Sequence, residues 1–379
     1  MTTPSIRAWL ELLRISNLPT VLSNAIAGAA IGTVVRIVED DGGFRVTLGE
    51  TVVRTDDRAP AAWQLLAALL VPSLCYGAGM ILNDVSDADV DAREQPNRPI
   101  PSGRVARNDA LRVGCGLLVV ALILALMMSF AVFLTTAMLC CAVIVYDCWH
   151  TKSIWSTALL ALCRALASLV PMLACSDGDL ELLVRRGAIV LPLALAAWTL
   201  GLSLVARGER STRVSNGATG LPAACPTCGH LLLANATSCS ECARASVHAD
   251  RLAHVSGRRV WKVIALTAIP VVGTIVIYVA LVHAFTTLMQ AHHAYNDPLE
   301  KLPLIAGFIM WCCIGVAVRA QWTMRRDARG TPVAVGTWIA CLALVDAMAL
   351  AILGAWALSA VCILLFAVTV RWQRAIAGS

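Results

Sequence analysis

The sequence predicts an all-α fold: a polytopic transmembrane helical bundle of about nine to ten spans, interrupted by one small cysteine-bearing module. Three observations predict it. The 379 residues are 58% hydrophobic and only 14% charged, with a mean hydropathy of +0.74, a balance foreign to soluble globular domains. Apolar runs of about 20 residues, the length that crosses a bilayer as a helix, recur along the chain. The long polar stretch that breaks this pattern in the second half carries two C-x-x-C pairs at fixed spacing.

The apolar runs fall near 18–35, 63–82, 111–128, 130–147, 154–174, 188–206, 260–283, 303–319, 333–353 and 355–371. Almost no connector separates the third from the fourth, which predicts a tight hairpin, and the last two meet at Gly354. Residues 1–206 form the N-terminal part of the bundle, 207–259 a cytoplasmic loop, and 260–379 the C-terminal helices of the same bundle. Met1–Ser16 is polar and amphipathic. It reads as a retained anchor rather than a cleaved signal, with Trp9, Leu10, Leu12 and Leu13 laid on the inner membrane surface.

Orientation follows from Lys and Arg. With the N-terminus inside, 22 of the 30 basic residues fall on inner segments. The positive-inside rule then makes both termini and the acidic loop after the second span cytoplasmic. The expected location is an inner or cytoplasmic membrane, multi-pass, with the active site facing the cytoplasm. The net charge of +6 is accounted for by basic residues at membrane edges, so no nucleic-acid partner is implied.

Two polar insertions need their own explanation. The first, about 36–62, contains an alternating stretch from Phe44 to Arg54 that suits a small hairpin around Leu48-Gly49-Glu50. The second contains Cys225-Pro226-Thr227-Cys228 and Cys239-Ser240-Glu241-Cys242. Two such pairs separated by ten residues form a knuckle framework in which each pair chelates one side of a tetrahedral Zn²⁺. Disulfides are disfavoured on the cytoplasmic face. Four thiolates leave no open position, so this zinc is structural, and the module is a possible docking site for a protein partner. The remaining cysteines sit in apolar runs and read as small hydrophobes.

The most informative stretch is Asn83-Asp84-Val85-Ser86-Asp87-Ala88-Asp89-Val90-Asp91, followed by Asn97-Arg98-Pro99. It crowds four carboxylates directly after an apolar span. At about 100° per residue on a helix, Asp84, Asp87 and Asp91 share a narrow arc, Asn83 lies beside them and Asp89 points away. Carboxylates packed this closely repel one another. A hard cation such as Mg²⁺ resolves the repulsion, because it takes oxygen ligands and leaves positions for water and substrate phosphate. Arg98 adds a planar donor fork suited to phosphate oxygens. A charge within a span costs roughly 2.5–3.5 kcal/mol on insertion scales, so such residues tend to line a cavity or to pair. Arg164 is read as cavity-lining and Asp346 as a structural partner. Tyr146, Asp147, His150 and Lys152 cluster at the inner end of the fourth span, and Arg207, Glu209 and Arg210 at the inner end of the sixth.

The pattern Asn83-Asp84-x-x-Asp87-x-x-x-Asp91, then Asn97-Arg98-Pro99-Ile100-Pro101-x-Gly103, resembles the first signature of the UbiA family of intramembrane prenyltransferases. The opening Arg14-Ile15-Ser16-Asn17-Leu18-Pro19-Thr20, with Asn24 and Gly28, is also similar to that family. The resemblance runs over roughly residues 10–353. It implies a bundle around a central lipid-open cavity, in which acidic motifs hold Mg²⁺ on an isoprenyl diphosphate. Ionisation then leaves an allylic cation for an aromatic or lipid acceptor. On this resemblance Asp84, Asp87 and Asp91 hold the catalytic Mg²⁺, and Asn83 orients them. Arg98, Lys152, Arg164, Arg207 and Glu209 face the diphosphate. Membrane lipids are the other expected partners.

The sequence departs from the family in its second acidic motif. The region after the sixth span reads Leu204-Val205-Ala206-Arg207-Gly208-Glu209-Arg210, with a single carboxylate among arginines. Arg207 and Arg210 then substitute for a metal as phosphate counter-charges. The alternative is a catalytically degenerate lipid-binding scaffold that docks partners through the zinc ribbon.

Overall fold

The computed structural model describes residues 6–41, 60–149, 155–217, 273–284, 302–326 and 330–376. Among them all regular structure is helical. A short helix α1 (Ile6–Leu12) and a single 3-10 turn (Ile15–Asn17) lead into α2 (Leu18–Asp41). Then follow α3 (Ala62–Ser86), α4 (Ala88–Glu94), α5 (Arg107–Met128), α6 (Phe130–Trp149), α7 (Trp155–Cys175), α8 (Leu180–Arg185) and α9 (Val190–Gly217). Helix α10 (Gly273–Ala284), α11 (Leu302–Arg326), α12 (Gly330–Ile352) and α13 (Trp356–Ile376) complete the bundle. The alternating stretch 44–54 and the four-cysteine module of Cys225, Cys228, Cys239 and Cys242 lie outside the described residues.

Among the described residues, seven helices are long and apolar enough to cross a membrane. The shorter apolar helices Val190–Leu204, Gly273–Ala284 and Leu304–Ala320 accompany them. Each of the ten expected apolar runs overlaps a helix of this set. The protein is therefore an integral multi-pass membrane protein. In lipid only structures that satisfy their own backbone groups can span, and helices do so locally.

Helix α12 is the axis of the bundle. It packs against α2, α9, α11 and α13, and 78% of its span is buried, against 22% for α5 and 17% for α13. Apolar side chains on the outer helices, among them Leu126, Met127 and Leu364, face outward. That arrangement would aggregate in water but is indifferent to lipid, where packing contacts rather than apolar burial hold helices together.

Small residues set the closest of those contacts. A Cβ on Gly28 of α2 would lie 2.5 Å from the Ser168 carbonyl oxygen and 2.9 Å from Pro171 Cγ on α7; one on Gly32 would collide with the Met172 backbone. The contacts advance together along both chains, so α2 and α7 run parallel in matched register. At one end of the bundle Arg36 pairs with Asp177 at 2.8 Å. At the other, Gln373 donates to Asn17 at 2.8 Å.

Helix α1 corrects one expectation. Its apolar face does not lie against the membrane surface. Ala8 and Leu12 are fully buried in a second core with Ile81, Val85, Ala88, Ile100, Val105 and Ala110, and Trp9 and Leu13 pack against it. Leu10 alone of the four expected residues is exposed. The sequence pattern gave the apolar stripe but could not distinguish lipid from the underside of the loop after α4.

Candidate functional site

The acidic segment forms two helices rather than one. Helix α3 ends at Ser86, Asp87 is the joint, and α4 begins at Ala88. The register nevertheless carries through: the Asp87 amide donates to the Asn83 carbonyl at 2.9 Å and the Asp91 amide to the Asp87 carbonyl at 2.8 Å. The i, i+4 relationship among Asn83, Asp87 and Asp91 therefore survives the break. Asp84 and Asp91 are buried, whereas Asp89 is turned outward to Arg107 at 3.3 Å. Asn83 Nδ2 donates to Asp87 Oδ2 at 3.3 Å.

Arg98 ties this cluster together. Its Nη1 lies 2.5 Å from Asp91 Oδ2 and 3.6 Å from Asp84 Oδ1, and its Nε donates to Gln95 at 3.1 Å. The loop that carries it is pinned from beneath. Ile100 and Val105 are buried in the second core, and the Val105 amide donates to the Pro99 carbonyl at 3.0 Å. Arg104 closes the loop from outside by donating to the Asn97 carbonyl and to Glu11 of α1, each at 2.7 Å. Docking α1 thus places the Asn-Arg-Pro loop over the acidic face.

Three residues join the site that were not assigned to it from sequence. Arg14 Nη2 reaches Asp84 Oδ1 at 3.2 Å. Its backbone is left-handed, with φ 42° and ψ 52°, which costs a non-glycine residue roughly 1–2 kcal/mol. Two bonds offset that cost: the charge-assisted contact with Asp84, and a bond from the Tyr76 hydroxyl to the Arg14 carbonyl at 3.1 Å. Asp147, near the end of α6, is buried and within electrostatic reach of Asp87 and Asp84. The signal was present in its position at the inner end of a span, but its partners are distant in sequence.

Below this cluster Arg164 Nη1 donates to Asn24 Oδ1 at 2.8 Å. Asn24 Nδ2 in turn donates to Asp346 Oδ2 at 2.5 Å, and Ser23 Oγ to the same oxygen at 2.7 Å. Lys152 lies outside the described residues. Arg207 and Glu209 lie on the late turns of α9, beyond the residues whose side chains are described.

The donor set suits a hard divalent cation. It is all oxygen, and a cationic nitrogen already sits between Asp84 and Asp91. Among the described residues no group of three or more His, Cys, Asp or Glu side chains is placed to hold a metal ion by itself. Mg²⁺ needs none, since it takes one or two carboxylates and fills its octahedron with water and phosphate oxygens. The chemistry available is therefore anion binding by guanidinium groups beside carboxylate oxygens that suit a hard cation, at the edge of an apolar bundle.

Known proteins bear on this site. The family model described as the UbiA prenyltransferase family matches residues 47–295. A digeranylgeranylglyceryl phosphate synthase of Sulfurisphaera tokodaii is 27% identical over 176 residues, 46% of this chain and 55% of that protein. The enzyme of the same name from Korarchaeum cryptofilum is 32% identical over 104 residues, 27% of this chain and 37% of that protein. The chain thus spans between about a third and about half of the length of these curated relatives. A solved structure concerned with digeranylgeranylglyceryl phosphate synthase in membranes superposes with a TM-score of 0.51 at 14% identity, covering 93% of this chain and 99% of its own. A UbiA homolog from Archaeoglobus fulgidus bound to DMAPP and Mg²⁺ gives 0.50 at 12% identity, covering 91% and 99%. Likeness at that identity shows a shared fold.

Proposed function

The chain belongs to the UbiA prenyltransferase family, and from that premise we propose that it is a Mg²⁺-dependent integral-membrane prenyltransferase. It moves an isoprenyl group from a prenyl diphosphate to a lipophilic or aromatic acceptor. The observation that carries this reading is the Arg98 nitrogen held between Asp84 and Asp91. Two buried carboxylates, held by Arg98 and Arg14, gather oxygen ligands for a cation and guanidinium donors for an anion at one place.

Asp84, Asp87 and Asp91 would hold the metal, with Asn83 orienting Asp87 through its side-chain bond. Bound Mg²⁺ supplies charge neutralisation for the departing diphosphate. Arg98 and Arg14, now spent on the carboxylates, have planar forks that suit the phosphate oxygens. Arg164 faces the same anion from deeper in the bundle. Lys152 joins the diphosphate-binding set on the family resemblance, and Arg207 and Glu209 join it on their place at the inner end of the sixth span. The apolar helices exclude water, which would otherwise quench a cationic allyl group.

Finer assignments follow from separate observations. Relatives named digeranylgeranylglyceryl phosphate synthase make a glycerol-phosphate lipid the acceptor to test first. The cysteine spacing supports a structural Zn²⁺ on Cys225, Cys228, Cys239 and Cys242, and the ribbon would offer a docking surface for a protein. The excess of basic residues on one set of loops supports an active site facing the cytoplasm.

One observation favours a second reading. Glu209, flanked by Arg207 and Arg210, stands where a second acidic motif is expected, as in a bundle that binds lipid without catalysis. Binding of a radiolabelled prenyl diphosphate to detergent-purified protein separates the two, measured with Mg²⁺, then with EDTA, then with Asp84→Asn. Saturable binding that needs Mg²⁺ and is lost in the variant supports the enzyme. Absence of binding by folded protein across several chain lengths overturns it.

A further inference from the structure

The polar chain Arg164–Asn24–Asp346 runs through three helices, α7, α2 and α12, with Asn24 and Asp346 buried. Asp346 is fully buried on α12. Its Oδ2 accepts from both Ser23 and Asn24, whereas its Oδ1 has no partner among the described residues. Arg164 is half-buried and commits one nitrogen to Asn24. Its other donors make no bond to a described residue. Tyr76 lies within electrostatic reach of Arg164; its hydroxyl bonds the Arg14 carbonyl, and Arg14 reaches Asp84. The row therefore extends from the acidic cluster inward, with Tyr76 two turns of α3 below Asp84.

Stability alone is a poor explanation for this row. Replacing a buried charged pair by apolar residues of similar volume is often neutral or stabilising, and each ionisable group within a span is costly to insert. A carboxylate retained with one oxygen orphaned adds to that cost. What the row does achieve is geometry. Gly28 and Gly32 hold α2 against α7, so Asn24 meets Arg164 at a set height, and Asp346 fixes the Asn24 amide so that its oxygen, the acceptor, faces the guanidinium. The Arg164 fork, anchored through one nitrogen, keeps further donors on the helix that packs beside α2 and α3.

We propose that Asp346 and Asn24 are positioning residues that hold the Arg164 guanidinium as an anion-binding group for the diphosphate of the prenyl donor. The inference rests on the prenyltransferase reading above. Asp346 acts through Arg164 and touches no substrate. The Asp346 carboxyl behind the fork is linked to it by Asn24, so replacing that carboxyl by an amide frees the Asn24 side chain to turn and the fork to drift.

A double-mutant cycle tests this in detergent-purified protein. Binding of radiolabelled geranylgeranyl diphosphate, and its competition by inorganic pyrophosphate, is measured with Mg²⁺ for the parent, Arg164→Met, Asp346→Asn and the double variant. Asp346→Asn is expected to weaken both ligands on the order of tenfold, and the double variant to bind no worse than Arg164→Met, as coupled neighbours do. Equal weakening of pyrophosphate and donor places the effect on the diphosphate rather than on the tail. Asn24→Ala, which cuts the link without touching the carboxylate, should show the same non-additivity and serves if Asp346→Asn fails to fold. Multiplicative losses would overturn the inference while leaving the prenyltransferase reading intact, since Asp346 would then act on the fold. A folded parent that binds neither ligand overturns the functional reading and the inference with it.

Discussion

Asn24 and Arg164 meet at 2.8 Å one helical turn ahead of the point where Gly28 lies against the Ser168 carbonyl. Position numbers advance by four on both helices, from Asn24 and Arg164 to Gly28 and Ser168, then to Gly32 and Met172. A packing contact and a polar contact therefore share one register. Close approach of the backbones, which the small residues permit, is also what brings a short asparagine within reach of an arginine on another helix.

Gly32→Ala tests that coupling. The added carbon would overlap the Met172 backbone, which has no side-chain freedom with which to give way. Overpacking of this kind costs about 1–3 kcal/mol. The midpoint of thermal unfolding in detergent should fall by several degrees, with prenyl diphosphate binding weakened in parallel. An unchanged midpoint would show that α2 and α7 are not held at this spacing.

Arg98→Lys should lower donor affinity by about tenfold or more, because lysine is a point charge and cannot reproduce a fork that engages several acceptors at once. Arg98 spends Nη1 on Asp91 and Asp84 and Nε on Gln95. Filter binding of the labelled donor at fixed Mg²⁺ reads the effect. Affinity equal to the parent's would mean that only the charge of Arg98 matters.

Much of this was legible in the sequence because it is local. Apolar runs of span length are set within single helices, and the i, i+3, i+7 spacing of Asp84, Asp87 and Asp91 is carried by local i, i+4 bonds across the joint at Asp87. Arg98 was legible through its motif. Arg14 was not, because its role depends on a left-handed backbone and on Asp84, seventy positions away. That Asp346 has structural partners is legible from a charge within a span, but their identity is not. Its partners Ser23 and Asn24 lie at the opposite end of the chain, and no spacing rule links them. Helix α1 carried an unmistakable apolar stripe, yet whether such a stripe meets lipid or protein is decided by the tertiary partner.

Asp147 faces the cluster from α6, close enough to interact with Asp84 and Asp87. A further carboxylate beside a divalent cation raises its affinity through added negative charge. Asp147→Asn should therefore raise the Mg²⁺ concentration for half-maximal donor binding by about tenfold, equivalent to roughly 1.4 kcal/mol. Titrating Mg²⁺ at saturating donor checks this. A changed donor affinity with an unchanged Mg²⁺ midpoint would place Asp147 in the support of the fold instead.

The zinc assignment separates from the catalytic one by stoichiometry. Four thiolates close the coordination sphere, and such a small module has little core of its own, so its folding energy comes from the metal. The purified chain should contain one zinc, and Cys225→Ser should lose it by elemental analysis. If the ribbon is a docking module, prenyl diphosphate binding in the variant will match the parent's, because no residue proposed for the donor site lies between Cys225 and Cys242. Loss of donor binding together with zinc would instead make the ribbon part of the cap over the acidic cluster. Zinc retained in full by Cys225→Ser would exclude the four-cysteine site altogether.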